Sequence, residues 1–351
     1  MPRITLSGEA LAREAAEFGR RAARGMGTLR RVGRQRPGAT PRSAVWQRDA
    51  VTLYRYEPAP PAGVPLLIVY ALVNRPDMVD LQADRSLVRA LIAHGFDVYL
   101  LDWGTPGPAD RTLGLEAYVN GYLDAAVDWL RATLDRPAVP LMGICQGGTF
   151  SLCYAALNPD KVERLVTTVT PVDFQTPDDM LSHLVRHIDV EALVDAYGNL
   201  DGDVLNALFL SLKPFQLMQQ KYLRLVDVLD DPAATAMFLR MEQWIFDSPA
   251  LTAQACRECA RDLYQSNRLA RGTLALGGRT VRLERLTMPL LNVWARDDHL
   301  VPPAASRALA ELVPAANYRE HELPGGHIGI YVGRTEHHAL ANVLAGWMQE
   351  R

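Results

Sequence analysis

A cysteine flanked by glycines is the residue in this chain that most clearly indicates chemistry. In "LMGICQGGTF", residues 141–150, Cys145 lies two residues after Gly143 and two before Gly147. An apolar run precedes it and a helical pattern follows, which is the setting of a nucleophile elbow, G-x-S-x-G, with cysteine in place of serine. The helix N-terminus after the elbow favours a thiolate. We therefore predict that Cys145 is a nucleophile; a buried structural cysteine in a tight turn is the alternative.

A thiol nucleophile needs a base, and the base needs an acid to orient it. In folds with this elbow the chain order is nucleophile, acid, histidine. "NVWARDDHLVPP" supplies Asp297 and Asp298 after a late apolar run, and either satisfies the spacing. "ELPGGHIGI" places His327 in a loop after the next strand, because Pro324 and two glycines exclude a helix there. His327 is the predicted base.

The oxyanion of such a reaction is normally held by two backbone amides. One belongs to the residue after the nucleophile, here Gln146. The other comes from the loop after an early strand, and "YALVNRP", residues 70–76, fits that position with Val73 as the candidate donor. His299, next to Asp298, is a candidate residue for the wall of the site.

The elements that must position these residues follow an α/β pattern. Five short, nearly continuous apolar runs are typical of parallel strands buried on both faces; they cover residues 65–70, 97–102, 139–145, 164–170 and 289–295. Helical patterns separate the first four, and a further strand is predicted at 318–323. The pattern predicts an α/β-hydrolase fold, a mostly parallel sheet flanked by helices with an inserted helical cap. The predicted core is 46–173 and 286–351, the cap 174–285, and the basic N-terminal segment 1–45, partly ordered.

Composition excludes several classes of protein. The 351 residues are 48% hydrophobic with a formal net charge of −3, which argues against nucleic-acid binding. No apolar run approaches the roughly 18–20 residues of a membrane span, and the N-terminus lacks the apolar region of a signal peptide. Four cysteines in so long a chain indicate a reduced, cytoplasmic protein. The pair Cys256-x-x-Cys259 lies in a helical pattern, which favours ordinary helical cysteines over a metal or redox site.

The N-terminal segment has a composition of its own. Residues 1–42 contain ten arginines and three glutamates, with a helical stretch around 10–23. A basic amphipathic helix that contacts a charged partner or surface and a solvated tail are both compatible with this pattern. A mitochondrial-type presequence fits less well because of the glutamates.

A cysteine nucleophile narrows the reaction only in part. A thiolate exchanges readily with thioesters, so acyl transfer from a thioester suits it at least as well as ester hydrolysis. Chemistry alone leaves hydrolase and transferase open.

Several long motifs together make the chain resemble a known family. "LLIVYALVNRP", "GICQGG", "VTPVDF", "FLRMEQWIFDSP", "DHLVPP" and "GGHIGIYV" occur in this order. They resemble the catalytic subunit of polyhydroxyalkanoate synthases, most closely the short, two-component class III kind. The resemblance runs from about Val51 to the C-terminus, cap included, and is weak only in the arginine-rich segment before it.

The resemblance implies a cofactor-free acyltransferase that polymerises (R)-3-hydroxyacyl-CoA, typically 3-hydroxybutyryl-CoA, and releases coenzyme A. The family's catalytic residues fall on Cys145, Asp298 and His327, which favours Asp298 over Asp297. It also implies a second subunit, PhaE, a homodimer, and a location at the surface of cytoplasmic polyester granules. A cysteine-dependent thioesterase or esterase on the same fold is the alternative, and a non-catalytic granule-coat protein is disfavoured by the complete triad.

Chain extension by covalent handoff would need a second thiol. Cys153 lies eight residues after Cys145, about 12 Å along a helix, and inside the packing of the fold. We therefore expect a partner thiol to come from another subunit, unless the growing intermediate is not held covalently throughout.

Overall fold

The computed structural model describes residues 8–32, 38–59 and 63–349. Their twelve strands are β1 Arg42–Arg48, β2 Val51–Tyr56, β3 Val64–Val69, β4 Asp80–Gln82, β5 Arg85–Ser86, β6 Phe96–Asp102, β7 Val139–Ile144, β8 Val162–Thr168, β9 Ala275–Leu276, β10 Arg279–Thr280, β11 Leu290–Ala295 and β12 Tyr318–Leu323. The fourteen α-helices of the same residues are α1 Gly8–Val32, α2 Leu87–Ala93, α3 Asp124–Leu134, α4 Gln146–Leu157, α5 Met180–Val185, α6 Val190–Tyr197, α7 Gly202–Ser211, α8 Lys221–Val228, α9 Pro232–Phe246, α10 Ala253–Glu258, α11 Pro303–Arg307, α12 Leu309–Leu312, α13 Gly329–Val332 and α14 Glu336–Gln349.

Eight of the strands form one sheet in the order β1-β2-β6-β3-β7-β8-β11-β12. The pairs from β6 to β12 are parallel, whereas β1 and β2 extend the sheet antiparallel at one edge. The predicted α/β fold is therefore confirmed, and each of the six predicted strands is present within two residues of its expected bounds. β1 and β2 were not predicted, because polar residues interrupt both strands and neither contains a long apolar run.

The sheet is buried on both faces, which explains its continuous apolar runs. Along β3, Leu67 and Val69 belong to one apolar cluster and Leu66 and Ile68 to the other. The first cluster contains α3, α4 and much of the helical block, and the second contains α2 and α14. All four side chains are fully buried.

Between β8 and β11 the chain is mainly helical. Helices α5 to α10 lie here, together with π-helical turns at Phe215–Gln220 and Cys259–Gln265 and the small hairpin of β9 and β10. This block occupies the position expected of the cap, and its bounds at 174 and 285 stay a prediction.

Helix α1 contains the predicted helical stretch 10–23 and packs against α8 and α9 of this block. Arg21 forms an ion pair with Asp227 at 3.0 Å. The rest of the basic segment at 1–7 and 33–37 lies outside the described residues. Within the described part of the chain, no helix is long and apolar enough to cross a membrane.

Candidate active site

Cys145 occupies the sharp turn between β7 and α4. Its backbone has φ +53° and ψ −124°, a conformation that a non-glycine residue adopts at a cost of about 1–3 kcal/mol. The flanking glycines are required by close backbone approach: a Cβ at Gly147 would overlap the carbonyl oxygen of Val69, and one at Gly143 would overlap the Cα of Gly148. The turn therefore holds the thiol beyond the strand end, at the N-terminus of α4.

Asp298 and His327 are brought together by adjacent parallel strands. Ala295 at the end of β11 pairs with Leu323 at the end of β12. Beyond the strands, the amide of Arg296 donates to the carbonyl of Leu323 at 2.9 Å, so the two loops begin side by side. The His327 Nδ1–H then donates to Asp298 Oδ2 at 2.7 Å. Sequence spacing alone could not set this distance, but the register of the two strands does.

The carboxylate of Asp298 is held on both oxygens. Its Oδ1 accepts the amides of Leu300 and Val301, both at 2.9 Å, while Oδ2 accepts His327. Asp298 is buried, whereas Asp297 is exposed. The structure therefore pairs His327 with Asp298, the aspartate that the family resemblance favoured.

His327 pairs with the acid through one ring nitrogen and leaves the other for the thiol. Its Nδ1 is used by Asp298, so Nε2 is the nitrogen available to Cys145. Burial lowers the pKa of His327, but the charges of Asp298 and Cys145 and the hydrogen bonds to both outweigh it. The pKa of His327 consequently lies well above its ordinary value. The raised pKa makes His327 a stronger base toward a neighbouring thiol.

A largely apolar cavity of about 480 Å³ opens over these residues. The predicted residues Val73, Gln146 and His299 line it together with Cys145 and His327. Burial, and then the charge of Lys213, lower the pKa of His299. Gln146 begins α4, where a first-turn amide has no acceptor within the helix. The cavity therefore contains every residue predicted for the site except Asp298, which lies behind His327.

Several polar residues of the cavity wall were not predicted. They are Asn74, Asp179, Asn206, Cys256, Cys259 and Tyr264. Burial raises the pKa of Asp179 to about 6. Asn74 lies in the predicted oxyanion loop, where its neighbour Val73 was the candidate. No motif identifies the other five, because the helical block between β8 and β11 that carries them has no regular spacing relative to the elbow.

Two more thiols face the cavity than the sequence indicated. All four cysteines are free, and Cys256 and Cys259 line the cavity that contains Cys145. Burial raises the pKa of Cys256 to about 11 and that of Cys153 to about 12. Burial also raises the pKa of Cys259, so these three thiols are protonated at neutral pH. Among the described residues, no cluster of histidine, cysteine or carboxylate side chains could hold a metal ion.

The fold and this arrangement place the chain in the α/β-hydrolase fold family, whose model matches residues 64–333. A solved structure of a hydrolase from Pseudomonas aeruginosa superposes with a TM-score of 0.55, covering 88% of this chain and 98% of that one. Its sequence is 17% identical, so this likeness shows the fold alone.

Two sequence relatives are much more similar. The poly(3-hydroxyalkanoate) polymerase subunit PhaC of Allochromatium vinosum is 50% identical over 99% of both chains. The subunit of the same name from Synechocystis is 49% identical over 90% of this chain and 85% of its own. The chain belongs to the family of poly(3-hydroxyalkanoate) polymerase PhaC subunits, and it is an acyltransferase built on the α/β-hydrolase fold.

Proposed function

We propose that this chain polymerises (R)-3-hydroxyacyl-CoA, in particular 3-hydroxybutyryl-CoA, through a Cys145–His327–Asp298 triad. The observation that carries the proposal is the hydrogen bond between His327 and Asp298, together with the position of His327 and Cys145 on the wall of one apolar cavity. The apolar lining of this cavity supports transfer to a hydroxyl group over hydrolysis, because an apolar wall disfavours the entry of water.

In the first half-reaction, the Cys145 thiol gives its proton to Nε2 of His327 and its sulfur attacks the thioester carbonyl carbon. The amides of Gln146 and Val73 hold the resulting oxyanion. Collapse of this intermediate breaks the carbon–sulfur bond to coenzyme A, which leaves as a thiol with the proton from His327. Asp298 stabilises the imidazolium throughout.

In the second half-reaction, His327 takes the proton of a 3-hydroxyl group, and that oxygen attacks the acyl group on Cys145. The new ester bond forms as the sulfur leaves, and the proton returns to the thiol. The reaction needs no metal or cofactor, since the thioester itself is the activated donor. His299 lies in the cavity wall, where it would contact the acyl-CoA.

We also propose that the cap carries the partner surfaces. Eight of the ten exposed large apolar side chains in the described residues lie between 174 and 285. They are Met180, Leu184, Tyr197, Phe215, Met218, Tyr222, Leu223 and Phe246. Exposed apolar side chains on one part of a protein support contacts with another protein or an apolar surface. The proposed partners are the PhaE subunit, a second copy of this chain, and the surface of polyester granules in the cytoplasm.

The test is to supply 3-hydroxybutyryl-CoA, with and without the PhaE subunit, and to follow free coenzyme A together with turbidity. Release of coenzyme A with polymer formation is expected, and Cys145→Ala should abolish both. Release of coenzyme A with only free 3-hydroxybutyrate, even with the second subunit present, would contradict polymerisation and support a thioesterase.

A further inference from the structure

The side chain of Gln146 connects three parts of the active site. Its Oε1 accepts the backbone N–H of Leu72 at 3.0 Å, and its Nε2 donates to the sulfur of Cys259 at 3.2 Å. Leu72 belongs to the loop after β3, and Cys259 belongs to the helical block between β8 and β11. One side chain next to the nucleophile therefore bonds to the oxyanion loop on one side and to the cap on the other.

The loop that it contacts, residues 70–75, is held at both ends by tryptophans. Trp103 Nε1–H donates to the carbonyl of Tyr70 at 2.8 Å. At the other end, Trp244 Nε1–H donates to the carbonyl of Arg75 at 2.7 Å. Trp103 comes from the core and Trp244 from the cap, so the loop spans the boundary between them.

The middle of this loop contains the proposed oxyanion donor. Val73 lies between Leu72, whose amide is bonded to Gln146, and Asn74, whose side chain contacts the hydroxyl of Ser248. These contacts anchor the residues on both sides of the Leu72–Val73 peptide unit, which carries the Val73 N–H. The Gln146 side chain ties Leu72, the residue before this amide, to the nucleophile elbow.

We propose that the Gln146 side chain is a positioning residue, which sets the Val73 amide at the distance from the Gln146 amide that the oxyanion requires. Its bond to Cys259 links this arrangement to the position of the cap. The inference rests on the proposed function, since it assumes that Cys145 is acylated through an oxyanion intermediate. Loss of one oxyanion donor costs about 10²–10³ in rate in other acyl-transfer enzymes.

The bond to the cap is weak by its chemistry. A thiol sulfur is a poor acceptor, and burial keeps Cys259 in its neutral form by raising its pKa. A small displacement of the segment Cys259–Gln265 would therefore break this bond before the stronger one to Leu72. The Gln146 side chain therefore adds a link between the cap and the oxyanion loop to the direct contacts made by Trp244 and Ser248.

The test is Gln146→Leu, which preserves the approximate size of the side chain and removes both hydrogen bonds. We expect acylation of Cys145, measured as single-turnover release of coenzyme A from 3-hydroxybutyryl-CoA, to slow about 10- to 100-fold. Alkylation of Cys145 by iodoacetamide has no oxyanion and should stay within about twofold of the wild-type rate. The matched control is Gln47→Leu, an exposed glutamine on β1, which should change neither rate.

Two further variants separate positioning from packing. Gln146→Glu keeps an acceptor for Leu72 and, when protonated, a donor for Cys259. It should recover most of the acylation rate at low pH. Ionisation of the new carboxyl should lower the rate again, unlike in the wild type, because it removes the donor to Cys259 and adds a negative charge next to the developing oxyanion. Cys259→Ala removes only the bond to the cap and should slow acylation by about threefold to tenfold, within the range of a lost hydrogen bond.

The inference is overturned if Gln146→Leu acylates within about threefold of the wild type, a loss too small for an oxyanion donor. It is equally overturned if alkylation slows as much as acylation, or if Gln146→Glu is no faster than Gln146→Leu at any pH. A p-nitrophenyl ester passes through the same oxyanion, so the comparison is repeated with it. Failure of the wild type with the CoA thioester alone would contradict the proposed substrate, and the ester would still test Gln146.

Discussion

The cavity over Cys145 has two walls of different construction. On the core side, Cys145, His327 and Asp298 are fixed by a strained turn, two strand ends and charged hydrogen bonds. On the cap side the wall is mainly apolar, with side chains such as Leu205 and Phe209. Hydrogen bonds fix the angles and distances between groups, whereas apolar contacts determine only the shape of the cavity surface and the exclusion of water. We therefore expect the core wall to determine the chemistry and the cap wall to determine which acyl groups enter and whether water does.

His327→Gln should give the largest effect, because it removes the base while the cap wall stays intact. We expect polymerisation to fall by about 10³–10⁴-fold or more, as for other triad members. The measurement is release of coenzyme A at saturating 3-hydroxybutyryl-CoA. A variant that retains its fold by circular dichroism and more than about a tenth of the activity would show that His327 is not the base.

Asp298→Asn should be the next most damaging change. An amide at this position would present its N–H₂ group to Nδ1 and favour the wrong tautomer of His327, which costs up to about 10⁴-fold in a serine triad. We expect a loss of about 10²–10⁴-fold in the rate of coenzyme A release. Asp297→Asn is the matched control, since Asp297 is exposed and its neighbour takes the bond to His327. Equal losses in the two variants would contradict the assignment of Asp298.

His327 in the core wall should also make the stability of the protein depend on pH. Because the folded pKa of His327 is raised, folding favours its protonated form. This contribution is fully present below the unfolded pKa of about 6.5 and is lost as pH rises through the folded pKa. The free energy of unfolding of the wild type, minus that of His327→Gln, should therefore be largest near pH 6 and decrease toward alkaline pH. A charged hydrogen bond of this kind is worth roughly 1.5–3 kcal/mol. Urea denaturation of both proteins across this pH range measures the difference in unfolding free energy. A difference that grows as the pH rises would contradict the prediction.

The contrast between the walls also explains what the sequence could predict. Cys145, Asp298 and His327 each follow an apolar strand in a short motif, and parallel strand ends meet at one edge of a sheet, so order and spacing identify them. β1 and β2 escaped prediction because polar residues interrupt both strands, so neither has the continuous apolar run of a strand buried on both faces.

The cap wall could not be predicted in the same way. Cys259 lies 113 residues after Gln146, and the two meet only because the cap helices pack over the elbow. Helical periodicity shows that α7 and α10 have an apolar face, but it does not show which residue of that face lies opposite the thiol. Contacts of this kind depend on tertiary packing and leave no local pattern.

Phe209→Ala is expected to have the smallest effect on rate and the clearest effect on selectivity. Phe209 lies half-buried on α7 in the cap wall, so its truncation enlarges the cavity without touching the triad. Each methylene accommodated in an apolar pocket is worth about 1–3 kcal/mol. The ratio of kcat/KM for 3-hydroxyhexanoyl-CoA to that for 3-hydroxybutyryl-CoA should therefore rise by about tenfold or more. The rate with 3-hydroxybutyryl-CoA should fall only a few-fold, since the core wall is unchanged.

The matched control is Phe215→Ala, an exposed phenylalanine of the same region that does not line the cavity. It should leave the ratio of the two substrates unchanged, because it alters no wall of the site. If Phe209→Ala instead lowered kcat for both substrates by as much as Asp298→Asn, the cap wall would be required for the chemistry itself. The division between a core that reacts and a cap that selects would then be wrong, since a purely shape-determining wall changes the preference between substrates more than it changes the rate of the bond-breaking step.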